Sequence, residues 1–239
     1  LDRMNAEAEE SFRKAVTLAE GVPDTWIALV QFLARTGRAV EARQAIKEIP
    51  SKIPAGPLPI VLAQCYEATG EPEEAEKKYQ EALAKTPGDG ALIRQVAEFY
   101  LRRKAPSKAA GHLHKLASQQ VQAQQEDVIW ARREMALMLL ASRRYQALQQ
   151  ALWLVQQNLA AGSNSARDLR AKAIVLASFP SRPRRLEAIQ LLEQVLHEPS
   201  TTVEDRFVLA RLYLDENNWS RFSSHMRGVL ARKAGDPRY

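Results

Sequence analysis

One spacing governs what this chain can fold into. In Glu67–Asp89, EATGEPEEAEKKYQEALAKTPGD, the residues Gly70, Ala75, Tyr79, Ala82 and Pro87 stand at steps of five, four, three and five. Gly37, Ala42, Ile46, Ile49 and Pro54 take the same steps 33 residues earlier. Residues three and four apart share one face of a helix, so each set is an apolar stripe with a glycine before it and a proline after it. The stripe recurs along the chain. It is Ala8, Phe12 and Ala15; then Ala109, Leu113 and Leu116; then Leu148, Leu152 and Val155. Later copies are Ala188, Leu192 and Val195, and Phe222, Met226 and Val229.

From the second stripe on, a second amphipathic segment precedes each one. It carries Trp26, Leu29, Val30 and Leu33 in one unit and Leu62, Ala63 and Tyr66 in the next. Ile93, Val96, Ala97 and Tyr100 follow, then Met135, Ala136 and Leu139. Leu169, Ala173 and Leu176 come next, and Leu209, Ala210 and Tyr213 last. The unit is therefore two helices and a short turn. Gly37 and Gly70 suit a turn that needs positive φ, and Pro54 and Pro87 end the second helix because proline has no amide hydrogen to give. Ala63, Ala75 and Ala82 let neighbouring helices approach closely. One hairpin leaves a wet apolar face; stacked hairpins bury it.

The pattern W-x2-L-V-x2-L-x3-G-x4-A in Trp26–Ala42 resembles the tetratricopeptide repeat, as does L-A-x2-Y-x3-G-x4-A-x3-Y-x2-A-L-x3-P in Leu62–Pro87. The unit around Tyr100 and Ala109 has Lys104 in place of the turn glycine, and later units have Arg143 and Asn217 there. The resemblance implies an all-α fold, an α–α superhelix that is a right-handed solenoid of antiparallel helix pairs. It divides the chain into 1–22, read as the second helix of a truncated repeat, and repeats at 23–55, 56–89 and 90–123. Degenerate repeats follow at 124–162, 163–202 and 203–239. The spacing slips twice. About five extra residues near SQQVQAQQEDV are expected to lengthen a helix, and Pro180 and Pro183 in Ser178–Arg185 are expected to make a longer, rigid turn.

No constellation for catalysis appears. The sequence has no H-E-x-x-H, no P-loop and no G-x-G-x-x-G. His112 and His114, two apart, point to different faces of a helix, and His112 is expected to be exposed. Cys65 is the single cysteine, so no intramolecular disulfide forms, and its apolar setting makes it an inert thiol. The chain is read as non-catalytic, with no cofactor and no metal. Its apolar stripes are used in stacking, which leaves no face for a membrane.

The function expected is a protein-interaction scaffold that holds a peptide or extended protein segment on the concave wall, which first helices line in proteins of this kind. One row, taken once per unit, is Ile27, Ile60, Arg94, Arg133, Arg170 and Phe207. The next is Gln31, Gln64, Glu98, Leu137, Ile174 and Arg211. Three consecutive arginines in a row would concentrate positive potential and suit an acidic peptide. They can instead be solvated or paired with Glu98 and Glu134. Replacing all three by Glu is expected to leave the helices intact while capture of acidic partners is lost. Trp130 is read as an exposed anchor or as packed on the Gln-rich segment. The partner-binding residues expected are thus Gln31, Gln64, Arg94, Glu98, Trp130, Arg133, Arg170 and Arg211.

The Lys and Asn set with which some relatives grip a chain terminus is absent, since Ile27, Gln31, Ile60 and Gln64 hold those rows. Residues 121–239 carry 17 Lys+Arg against 12 Asp+Glu, and 15 of the 17 are Arg. This makes nucleic acid the alternative partner, although the basic residues lack interleaved exposed aromatics. A repeat region guiding an enzyme domain elsewhere is the other alternative. The sequence leaves the oligomeric state open.

Overall fold

The computed structural model describes residues 2–232, and among them it is helical with no β-strand. Two compact units divide the chain after Ile93. The first contains α1 (Asp2–Leu18), α2 (Pro23–Arg35), α3 (Ala39–Lys52), α4 (Leu58–Ala68) and α5 (Pro72–Lys85). Within it α2 pairs with α3 and α4 with α5, while α2 and α4 run side by side. Trp26, Leu29, Val30 and Leu33 of α2 close on Ala42, Ile46 and Ile49 of α3, with Val61, Leu62 and Cys65 beneath them. Trp26 is buried and its indole Nε1 donates to the Glu20 carbonyl at 2.8 Å, so the ring is core and its one polar atom is satisfied. Burial pushes the Cys65 thiol up to about 12, which keeps it un-ionised and unreactive at neutral pH.

Residues of α6 (Gly90–Arg102) from Arg94 onward belong to the second unit. It continues with α7 (Pro106–Ala117), α8 (Gln125–Leu139), a single 3₁₀ turn at Leu140–Ser142 and α9 (Tyr145–Ala160). Then come α10 (Ala166–Ala177), α11 (Arg182–Leu196), α12 (Val203–Asp215) and α13 (Trp219–Arg232). Its pairs are α8 with α9, α10 with α11, and α12 with α13. Ala136, Leu148, Ala151, Val155, Ala171 and Val175 form one core cluster, and Ala173, Leu176, Ala188, Leu192, Leu209 and Tyr213 the next. The fold class is the all-α solenoid of antiparallel helix pairs. The small stripe residues sit where helices approach closest: Ala136, Ala173, Ala188 and Ala210 have no exposed surface.

The turn inside each pair shows why glycine was missed so cheaply. Gly37 and Gly70 have φ of +78° and +75°, and Lys104, Arg143 and Asn217 hold the same left-handed region at 54°, 52° and 56°. The closing hydrogen bonds match: Arg38 N donates to the Leu33 carbonyl, Glu71 N to Tyr66, Ala105 N to Tyr100 and Asn218 N to Tyr213, all between 2.8 and 2.9 Å. These bonds satisfy the last carbonyls of the first helix, and they hold a bulky residue in a conformation it disfavours. Lys104→Gly is therefore expected to stabilise the protein by about 0.5–1 kcal/mol, seen as a higher urea midpoint with an unchanged slope.

The first spacing slip resolves differently from expectation. The Gln-rich segment does not lengthen α7. The helix stops at Ala117, Gln119 takes φ +55°, Gln120 N closes onto the Lys115 carbonyl at 3.1 Å, and the Ser118 hydroxyl donates to His114 at 2.6 Å. Satisfying those terminal carbonyls outweighs the weak helical preference of glutamine. The second slip adds one residue to the turn: the link 178–181 has four residues against three at 36–38, 69–71, 103–105 and 216–218, and Pro183 lies inside the first turn of α11, where a missing amide hydrogen costs nothing. Phe179 anchors that link in the core, under the Arg184 guanidinium.

His112 is not exposed as expected. It is half-buried and stacked on Tyr100 at 5.8 Å, and His225 repeats the arrangement on Tyr213 at 5.6 Å. Burial and then Lys115 hold His112 below the ordinary imidazole value. For His225 the causes are burial, Arg206 and Arg221, with Glu193 opposing. A histidine whose folded value is depressed favours the native state while neutral, so its contribution is present above the unfolded pKa of about 6.5 and is lost as pH falls below that through the folded pKa. The thermal midpoint should drop as pH falls below about 6.5, and His112→Phe with His225→Phe should flatten that dependence.

Candidate functional site: the first-helix face of residues 94–232

The arginine row lies where the periodicity put it, but it is occupied. Each arginine reaches forward to an aspartate at the third position of the next first helix: Asp127 in α8, Asp168 in α10 and Asp205 in α12. Arg94 Nη1 donates to Asp127 Oδ1 at 2.7 Å, and Arg133 Nη1 to Asp168 Oδ1 at 2.9 Å. Arg170 forks onto Asp205, with Nη2 to Oδ2 at 2.8 Å, and also donates to the Ser200 carbonyl at 3.1 Å. All three aspartates are buried.

Local sequence explains why a buried carboxylate is stable there. A helix N-terminus presents free amide hydrogens and a partial positive charge. Asp168 also accepts the hydroxyls of Ser163 and Ser165, at 2.6 Å and 2.5 Å, while Ser165 caps α10. Thr202 and Asp205 form a reciprocal capping box at the start of α12. Burial alone would push the Asp205 carboxyl up, but the Arg170 fork and the Thr202 amide and hydroxyl hold it below its ordinary value. The result is a ladder, arginine to aspartate to the next helix, that ties α6 to α8, α8 to α10 and α10 to α12.

The other expected residues separate around this ladder. Glu98 accepts Arg94 Nε at 3.0 Å, and Glu134 lies 3.9 Å from Arg133, so the pairs anticipated from sequence exist but are secondary to the aspartates. Trp130 is half-buried, and the Arg94 guanidinium stands 5.1 Å over its ring. Gln31 is exposed on α2 and Gln64 half-buried on α4, both in the first unit. Arg211 is exposed on α12 and, among the described residues, makes no ion pair or side-chain hydrogen bond. It borders a cavity of about 550 Å³ whose walls include Leu140, Ile174, Val208 and Leu212.

The tetratricopeptide repeat family matches residues 60–89. The fold of the chain is similar to that in a structure titled for functional characterisation of Pseudomonas aeruginosa pilF. Identity to it is 16%, coverage is 91% of this chain and 94% of that one, and the TM-score is 0.67. PilW, described as a widely conserved type IV pilus biogenesis factor, is 13% identical over 90% of this chain and 95% of its own, at TM-score 0.65. A tetratricopeptide repeat protein from Parabacteroides merdae ATCC 43184 is 15% identical, covers 95% and 86%, and has a TM-score of 0.61. At these identities the likeness is one of fold. No curated protein sequence matches the chain.

No described helix is long and apolar enough to cross a membrane. The aspartates of the ladder were missed from sequence, although a signal was present. Asp127, Asp168 and Asp205 follow their arginines by 33, 35 and 35 residues, one repeat length each.

Proposed function

We propose that this protein is a non-catalytic scaffold that holds an extended segment of another protein along the first helices of residues 94–232. Tetratricopeptide repeats are interaction modules, and the geometry here supports that use. The carrying observation is the cavity beside Ile174 and Arg211. The cavity keeps aliphatic walls, Leu140, Leu148, Ile174 and Val208, beside an uncommitted cation open to solvent. The arginines that favoured nucleic acid in the sequence are neutralised by Asp127, Asp168 and Asp205, so a phosphate backbone would have to displace buried pairs to reach them.

The test is affinity capture with cross-link mapping, run beside Ile174→Asp. The expected result is a partner set whose cross-links fall between residues 137 and 211 and which the variant loses. Partners that persist on the variant, or cross-links confined to the second helices, would overturn the reading.

A further inference from the structure

The cavity walled by the turn after α8, by Leu148 of α9 and by α10 and α12 contains the contrast that decides what it can hold. Arg94, Arg133 and Arg170 are each tied to an aspartate. Arg143 and Arg211, which line this cavity, are exposed and, among the described residues, make no ion pair or side-chain hydrogen bond. Leu140, Ile174 and Val208 stand beside them. Arg143 occupies the left-handed turn position, φ 52°, that Gly37 and Gly70 fill without strain. That turn position places the Arg143 guanidinium at the cavity wall.

We propose that this cavity binds a protein segment in which an aliphatic side chain sits next to an acidic side chain. The aliphatic group fills the space between Leu140, Ile174 and Val208, and the carboxylate pairs with Arg143 and Arg211. Guanidinium matches carboxylate in two-point geometry, and the low-dielectric walls strengthen the pair. The walls are the turn Leu140–Arg143, Leu148 of α9, and the successive first helices α10 and α12. The carboxylate expected is that of a side chain in a passing extended segment. Asp215, one turn beyond Arg211 on α12, rims the same cavity and turns away a second negative charge.

This inference rests on the scaffold reading above and sharpens it. The probe is a positional-scanning library of blocked peptides of about eight residues, screened against the full chain. The wild type should enrich Asp or Glu directly beside Leu, Ile or Val. Arg211→Gln and Arg143→Gly should each weaken the enriched peptide by about tenfold and erase the acidic preference while keeping the aliphatic one. Arg143→Gly should also raise the thermal midpoint, which separates lost binding from misfolding. Arg167→Gln, an exposed cation outside the cavity, is the charge-matched control and should change affinity by less than about twofold.

Absence of an acidic preference overturns the proposal, as does equal loss in Arg167→Gln. Tighter binding of the same library with free C-termini overturns it too, in favour of a terminal carboxylate. If the library fails while captured partners still cross-link along the first helices, the specificity claimed here is wrong and the scaffold reading survives.

Discussion

Arg133→Ala is expected to destabilise the unit formed by residues 94–232 by about 3 kcal/mol. The size follows from burial. Asp168 is 2% exposed and the Arg133 side chain 12%, so truncating the arginine leaves a carboxylate with no cation and no route to water. The serine hydroxyls and Asn158 Nδ2 still donate to it, which keeps the loss in the lower part of the range for a broken buried pair. A double-mutant cycle with Asp168→Ala should give a coupling of about 2 kcal/mol, measured by urea unfolding. Arg43→Ala supplies the contrast. Its pair with Glu71 is 59% and 30% exposed, and its loss should cost less than about 0.5 kcal/mol.

The same reasoning reverses the expectation that glutamates at Arg94, Arg133 and Arg170 would leave the helices intact. Each glutamate would face a buried aspartate of like charge. The triple variant should lose helicity in this unit, so it cannot serve as a clean test of partner capture.

Leu192→Ala is the second large effect, at about 3 kcal/mol. Leu192 has no exposed surface and lies among Ala173, Leu176, Ala188 and Leu209. Its removal opens a cavity between helices that backbone contacts at the alanines prevent from collapsing. Because each pair packs mainly on its neighbours, amide exchange should accelerate most in α10 to α13 and less in α6 and α7. Uniform acceleration across residues 94–232 would show instead that this unit unfolds all or none.

The fold was legible because its cause is periodic. Ala42, Ile46 and Ile49 or Ala75, Tyr79 and Ala82 announce a buried helix face, and close-packed hairpins leave few other ways to bury it. The turns were legible even without glycine, since Lys104, Arg143 and Asn217 keep the backbone that Gly37 and Gly70 establish. The irregular joints were harder. Whether extra residues become turn or helix depends on which carbonyls find donors, as at Ser118 and Gln119, and on where a single side chain such as Phe179 anchors.

The site was half legible. Periodicity placed Arg94, Arg133 and Arg170 on one row, but a row of like charges does not reveal its counterions. Those come from the next repeat, at a helix start where aspartate reads simply as a favourable first-turn residue. Arg211 was found by row and Arg143 was not, because a turn position carries no periodic signature.

With the arginine row spent on holding first helices together, Arg143 and Arg211 are the cations left for a partner. Nitrogen-resolved NMR of the arginine side chains, with and without the enriched acidic peptide, distinguishes the two sets. The Arg133 and Arg170 Nε–H signals should be protected from exchange and unmoved at saturation, while those of Arg143 and Arg211 shift and sharpen. Movement of Arg133 and Arg170 with Arg143 and Arg211 unchanged would mean that the partner binds on the arginine row instead.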